Sequence, residues 1–199
     1  MSSEAYKRFI GSMQIGYEQW HDGIGYDLAA LDELSESERG DVGRILVSRA
    51  EKDWRDLEAL DRLASSASIE AILKARKSPD PEIRLHAHEV GPAPSQEEWD
   101  EAILYSLPKV EPFAGLSITI RCAVAHPSSA VREGLWAQIK DPASKIAYHC
   151  AEAIAHIERV TKSIYSDRHR PLFLRLVGPA SPDREEAVSE IERLCRKSK

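Results

Sequence analysis

S-P-D-P-E-I-R-L-H-A-H-E-V, residues 78–90, is the stretch whose reading decides the fold. Two prolines pin a turn, and the short helix that follows carries Ile83, Ala87 and Val90 on one side. The same sentence returns at residues 126–139 as H-P-S-S-A-V-R-E-G-L-W-A-Q-I, with Val131–Arg132 standing where Ile83–Arg84 stood. A looser copy, D-P-A-S-K-I-A-Y-H-C-A, begins at Asp141. An apolar helix precedes each copy, which is how a stack of helical hairpins is written.

Proline suits the first helical position because the N–H it lacks would be unpaired there anyway. A preceding Asp or Ser accepts hydrogen bonds from the first-turn amides. Asp80–Pro81, Asp141–Pro142 and Ser181–Pro182 all have this form and predict helix starts. Ser35 with Glu38 and Ser95 with Glu98 have the spacing of a capping box and predict two more.

Working outward, all 11 prolines lie at or after Pro79, and the first 78 residues read as helices divided by glycine and short polar turns. Tyr6, Phe9, Ile10 and Met13 form an opening amphipathic helix. Residues 16–34 are the least regular, gathering Tyr17, Trp20 and Tyr26 around Gly23 and Gly25 before helix resumes near Asp27. Helices follow on Val42, Ile45 and Leu46, on Trp54, Leu57, Leu60 and Leu63, and on Ile69, Ile72 and Leu73. G-P-A-P-S at 91–95 is the clearest break, a hinge or a long inter-repeat loop; the loop is favoured because helical rhythm resumes at once. In L-S-I-T-I-R-C-A-V (116–124) the apolar residues alternate as in a strand. No second strand exists to satisfy its backbone, so helix is expected. From 144 to 162, Ile146, Cys150, Ile154, Ile157 and Thr161 form one stripe, and residues 171–177 and 182–195 supply a last helical pair.

Ile83–Arg84 and Val131–Arg132 resemble the HEAT repeat, whose second helix opens with a turn, an apolar residue and an Arg. Lys145 replaces the Arg in the third copy. The resemblance implies an all-α fold: a right-handed α-α superhelix, or short α-solenoid, with a concave ligand-facing layer. In one chain of 199 residues this reads as a helical cap over 1–66 and HEAT-like hairpins over 67–199, with roughly eleven or twelve short helices in all. Proteins similar to this are mostly scaffolds and inhibitors, with a minority of DNA glycosylases and bilin lyases.

Charge narrows the function. The net charge is −6, yet residues 1–100 hold 21 acids against 12 bases and residues 101–199 hold 12 against 15. Residues 17–61 alone hold 13 acids against 5 bases. Such a front repels nucleic acid and favours a basic protein partner. No apolar run approaches membrane-spanning length, and the N-terminus lacks the apolar core of a signal peptide. Cys122, Cys150 and Cys195 match neither a disulfide framework nor a zinc pattern, and a cytoplasmic location is the default.

No catalytic motif is present, and no metal or cofactor is implied. His149, Glu152 and His156 share a helix face at i, i+3, i+7, but Lys145 and Arg159 on that face would repel a cation. His86 and His88 flank Ala87, and a half-buried packing histidine is the expectation at His86. Trp99 and Trp136 raise the glycosylase reading, which lacks the basic groove it needs. The group Tyr17, Trp20, His21, Asp22, Tyr26 and Asp27, extended by Asp32 and Glu33, is the leading candidate surface, weighed against a structural cap on the first repeat. Arg84, Arg132 and His149 on the concave helices are the alternative. The expected function is a non-enzymatic protein-binding solenoid, a scaffold or an inhibitor such as an immunity protein or antitoxin; a HEAT-like glycosylase or lyase is the rival.

Overall fold

A computed structural model describes residues 2–112, 114–164 and 167–197. The chain divides into two compact units, residues 1–93 and 94–199, and the division falls inside the 91–95 break. The N-terminal unit holds α1 (Glu4–Ser12), α2 (Tyr17–His21), α3 (Leu28–Asp32), α4 (Glu36–Val47), α5 (Trp54–Leu63), α6 (Ser66–Ala75) and α7 (Pro81–Glu89). The C-terminal unit holds α8 (Gln96–Ser106), α9 (Leu116–Ala125), α10 (Ser129–Lys140), α11 (Ala147–Ile157), α12 (Arg170–Leu174) and α13 (Pro182–Lys197), with a 3-10 turn at Asp167–His169. The described residues form no strand, so the fold is all-α. The thirteen α-helices among the described residues exceed the eleven or twelve expected, partly because residues 16–34 contain two five-residue helices.

Side-chain oxygens start most of these helices. Asp80 accepts from the amides of Glu82 (2.8 Å) and Ile83 (3.4 Å), with Pro81 at the first helical position. Ser35/Glu38 and Ser95/Glu98 both close as capping boxes. Ser181 accepts from the amide of Arg184 at the start of α13. Asp141–Pro142 departs from expectation. α10 runs through Lys140 and residues 141–146 form turns, with Asp141 accepting from the Ala143 amide, so α11 begins only at Ala147. Thr161 accordingly lies beyond α11 rather than on its stripe.

Residues 116–124 are helical. Leu116, Ile118, Thr119, Ile120, Cys122 and Ala123 are all buried, and the Thr119 hydroxyl donates to the Gly115 carbonyl at 2.8 Å. A helix apolar on nearly every side shows no 3.6-residue rhythm, which is how its sequence came to alternate like a strand.

In the N-terminal unit α5 packs on α3, α4, α6 and α7, around Phe9, Leu31, Leu46, Leu57, Leu60 and Ile72. In the C-terminal unit α11 packs on α9, α10, α12 and α13, around Ile139, Ile146, Ile154, Phe173 and Ile191. Gly134 on α10 lets α8 approach: a Cβ there would sit 2.4 Å from Leu104 Cδ2. Cys122, Cys150 and Cys195 are buried thiols of the C-terminal unit.

Four arginines are buried among the described residues, and each donates to backbone carbonyls. Arg76 reaches Ala87 (3.0 Å), Val90 (3.1 Å) and Pro92 beyond α7. Arg84 Nε reaches Ser78 at 2.9 Å. Arg184 reaches Ile139 (2.8 Å), Asp141 (2.6 Å) and Leu176. Arg55 serves the loop after α2. These contacts take up carbonyls left over where helices end.

Ile83 and Ile154, both buried, should each cost about 2–5 kcal/mol when replaced by Ala, read as lower denaturant midpoints. Leu73→Ala, at a site 42% exposed, should move stability by no more than about 0.5 kcal/mol.

Candidate functional site

α2 is a five-residue knuckle whose large side chains face solvent: Tyr17 is 76% exposed, Trp20 58%, and Ile24, just past the helix, 50%. At the N-terminal end of α2, Gln19 Oε1 accepts from the Gly16 amide at 3.1 Å. At its C-terminal end the amides of Asp22 and Ile24 return to Glu18 and Gln19 carbonyls at 2.9 Å, across Gly23 at φ +65°. The left-handed turn favours glycine there. The Tyr17 and Trp20 rings lie 6.2 Å apart, tilted by 36°, and His21 Nδ1 is 2.9 Å from Asp22 Oδ1.

Arg55 fixes this loop from beneath. Its side chain, 3% exposed, donates through Nε to the Ile24 carbonyl at 2.6 Å and through Nη2 to Gln19 at 3.5 Å. Nη1 pairs with Asp53 at 3.2 Å, and the guanidinium lies 4.5 Å from the Trp54 ring centre. Trp54 in turn stacks on His86 at 4.8 Å and 15°. The exposed residues therefore sit on a braced turn. Nothing in the sequence marks Arg55 for this duty, and Ile24 was missed because a lone aliphatic residue carries no periodic signal.

The expected surface shrinks around this knuckle. Tyr26 is buried, edge-on to Phe9 at 6.1 Å, and its hydroxyl donates to Asp56 at 3.1 Å. It is a core residue and leaves the contact surface. Asp27 caps α3 and pairs with Arg8 at 2.9 Å, Glu33 shares Arg8 at 3.2 Å, and Asp32 takes the Arg62 fork at 2.6 and 2.8 Å. Asp41, Glu51, Asp53 and Asp56 are likewise paired, with Arg44, Lys74, Arg55 and Arg49. Arg8, Arg62 and Lys74, from outside residues 17–61, thus neutralise part of that acid excess within the unit. Glu18 and Asp22 are the acids beside the exposed rings.

The alternative set fares differently. Arg84 is buried, so it belongs to no accessible face. Arg132 is half-buried, held by Glu158 at 3.0 Å and by the Pro127 carbonyl at 2.8 Å. His149 lies 3.4 Å from Glu152, which also accepts from the Tyr148 hydroxyl at 2.8 Å. Lys145 and Arg159 fall outside α11, contrary to the shared face expected of them, and Lys145 pairs with Glu111. Among the described residues no group of three or more His, Cys, Asp or Glu is arranged to hold a metal ion.

Charges behind the knuckle are perturbed. Burial raises the Glu58 carboxyl above its ordinary value, and His86 and Arg55 oppose that shift. Burial raises Glu82 in the same way, with His86 again opposing. Burial also raises buried Asp56, although Arg49 and Tyr26 both stabilise its charge. Glu38 is held down to about 2 by the Ser3 amide and the Ser35 hydroxyl.

No family model, no curated protein and no solved structure matches the chain. Among the described residues no helix is long and apolar enough to cross a membrane.

For Glu58 and Glu82 the folded state holds protons that the unfolded chain has released, so stability falls as pH rises through the window just above their ordinary value of 4.5. The double variant Glu58→Gln, Glu82→Gln should flatten the melting temperature across that window. Glu38 acts in the opposite sense: its contribution is complete above 4.5 and is lost as pH falls toward about 2. Glu38→Ala should lessen the slope of that acid limb, which Asp27 and Asp32, also lowered by their partners, share, as melting curves taken at successive pH values would show.

Proposed function

We propose that this chain is a cytoplasmic, non-enzymatic protein-binding module built from HEAT-like helical hairpins, and that the α2 knuckle grips its partner. The observation that carries this reading is the exposure of Tyr17, Trp20 and Ile24 on a turn braced by buried Arg55. Solvent-facing aromatics cost solubility and contribute nothing to the core. A rigid platform for them removes part of the ordering cost that binding must otherwise meet. Buried aromatic anchors are where interface energy concentrates.

The partner is a basic protein. Glu18 and Asp22 flank the rings, and an Arg or Lys of the partner meets both a carboxylate and the face of Trp20 there. An inhibitor of a nucleic-acid-handling toxin, an immunity protein or antitoxin, is the specific role such a surface suits. Two contacts support the repeat reading: Arg84 donates to a carbonyl six residues back, and Arg132 to one five residues back, each tying a helix to the turn that starts it.

Trp20→Ala should weaken binding by at least about 2 kcal/mol, roughly thirtyfold, mostly through faster dissociation. Glu18→Lys with Asp22→Lys should instead slow association and flatten its salt dependence. A partner retained from a lysate of the source cell by the wild type, and equally by Trp20→Ala, would overturn the assignment of α2 as the contact surface.

A further inference from the structure

Beyond α11 the chain turns through Arg159, whose φ of +61° is left-handed backbone. The Val160 and Thr161 amides close on the Ala155 carbonyl at 2.8 and 3.1 Å, and the Glu158 amide on Ile154 at 2.9 Å. Glycine is the usual residue at such a turn, since a Cβ is strained there. Among the described residues Arg159 shares this non-glycine left-handed backbone with Ala64, and it places a long cationic side chain at the turn.

Beside the turn lies a pocket of about 490 Å3. Val124, Pro127 and Ile157 form its apolar wall, and His156, Arg159, Thr161 and Lys162 its polar one. Thr161 is 8% exposed, and its hydroxyl has no hydrogen-bond partner. The buried Nδ1 of His156 has none either. Among the described residues these are the two buried side-chain polar atoms in that condition, and both belong to this one pocket. Native structures rarely leave such groups unmatched without a ligand, ion or water to serve them. Arg159 and Lys162 are exposed and form no ion pair among the described residues. Among the described residues no carboxylate lines the pocket; Glu158, next to Arg159 in sequence, pairs with Arg132 at 3.0 Å.

We propose that this pocket binds a small organic anion, with its apolar body against Val124, Pro127 and Ile157 and a phosphate or carboxylate head at Thr161. The Thr161 hydroxyl and a His156 ring N–H donate to the head, and the two cations neutralise it. A cation is repelled by Arg159 and Lys162, and a neutral ligand draws nothing from their charge. The volume is that of a small-molecule site. The proposal stands on the C-terminal unit alone and is independent of the knuckle and its partner.

The test is an amide-shift NMR titration of the full chain with phenyl phosphate and with benzoate, using inorganic phosphate and phenol as controls. Either aryl anion should give saturable shifts at Ile157, Thr161 and Lys162, at least about tenfold tighter than both controls. Arg159→Gly should raise the melting temperature by relieving the left-handed turn and should weaken binding by about tenfold or more. Thr161→Val keeps the shape, loses the hydroxyl, and should weaken binding similarly. Absence of saturable shifts, phenol or inorganic phosphate binding as tightly as the aryl anions, or unchanged affinity in Arg159→Gly would each overturn the assignment.

Discussion

An α-helix leaves its last carbonyl oxygens without amide partners, and a chain cut into many short helices meets that demand again and again. Here the answer is the guanidinium group. Arg55, Arg76, Arg84 and Arg184 are buried, and each turns its donors onto carbonyls in the last turn of a helix or in the turns between helices. The fork presents five N–H groups in fixed geometry, so one side chain can serve two or three carbonyls at once, as Arg76 and Arg184 do. Burying a cation is costly unless its donors are met, and the clustered carbonyl dipoles meet them. Lysine at these positions would keep the charge and lose the geometry.

Helix starts were legible because they are chemical events local in sequence. A Ser or Asp, then a proline or a glutamate three residues on, says where amides need an acceptor, and α4, α7, α8 and α13 begin where that grammar placed them. Helix ends were less legible, because their carbonyls are satisfied by side chains from far along the chain. Asp141–Pro142 shows the difference. It has the form of a start, yet its backbone lies where α10 finishes, and Arg184, more than forty residues away in sequence, takes the Ile139 and Asp141 carbonyls. Charge was the least legible property. Counting 13 acids in residues 17–61 could not reveal that Arg8, Arg62 and Lys74, all outside that window, neutralise several of them. Nor could an aromatic count separate Tyr26, closed over Asp56, from Trp20 in water.

The knuckle and the core beneath it are two ends of one arrangement. Trp54, Arg55 and His86 are stacked in series, and the outermost member holds the carbonyls of residues 19 and 24. The turn that displays Tyr17 and Trp20 is thereby attached to α5 and α7, which pack on each other in its unit. A five-residue helix would fray in isolation. Anchored this way, it can keep hydrophobic side chains in water without collapsing onto them.

All three thiols lie within residues 94–199, on α9, α11 and α13, and residues 1–93 carry none. Each is buried, and burial alone pushes the Cys150 thiol far above its ordinary range, so little thiolate is present in the closed state. At Cys122 and Cys150, 2% and 0% exposed, an alkylating reagent must therefore wait for the C-terminal unit to open, while the N-terminal unit stays silent to it. The unmodified chain carries its own chemical clock for the breathing of one half, and the order in which Cys122 and Cys150 are labelled is the order in which α9 and α11 open.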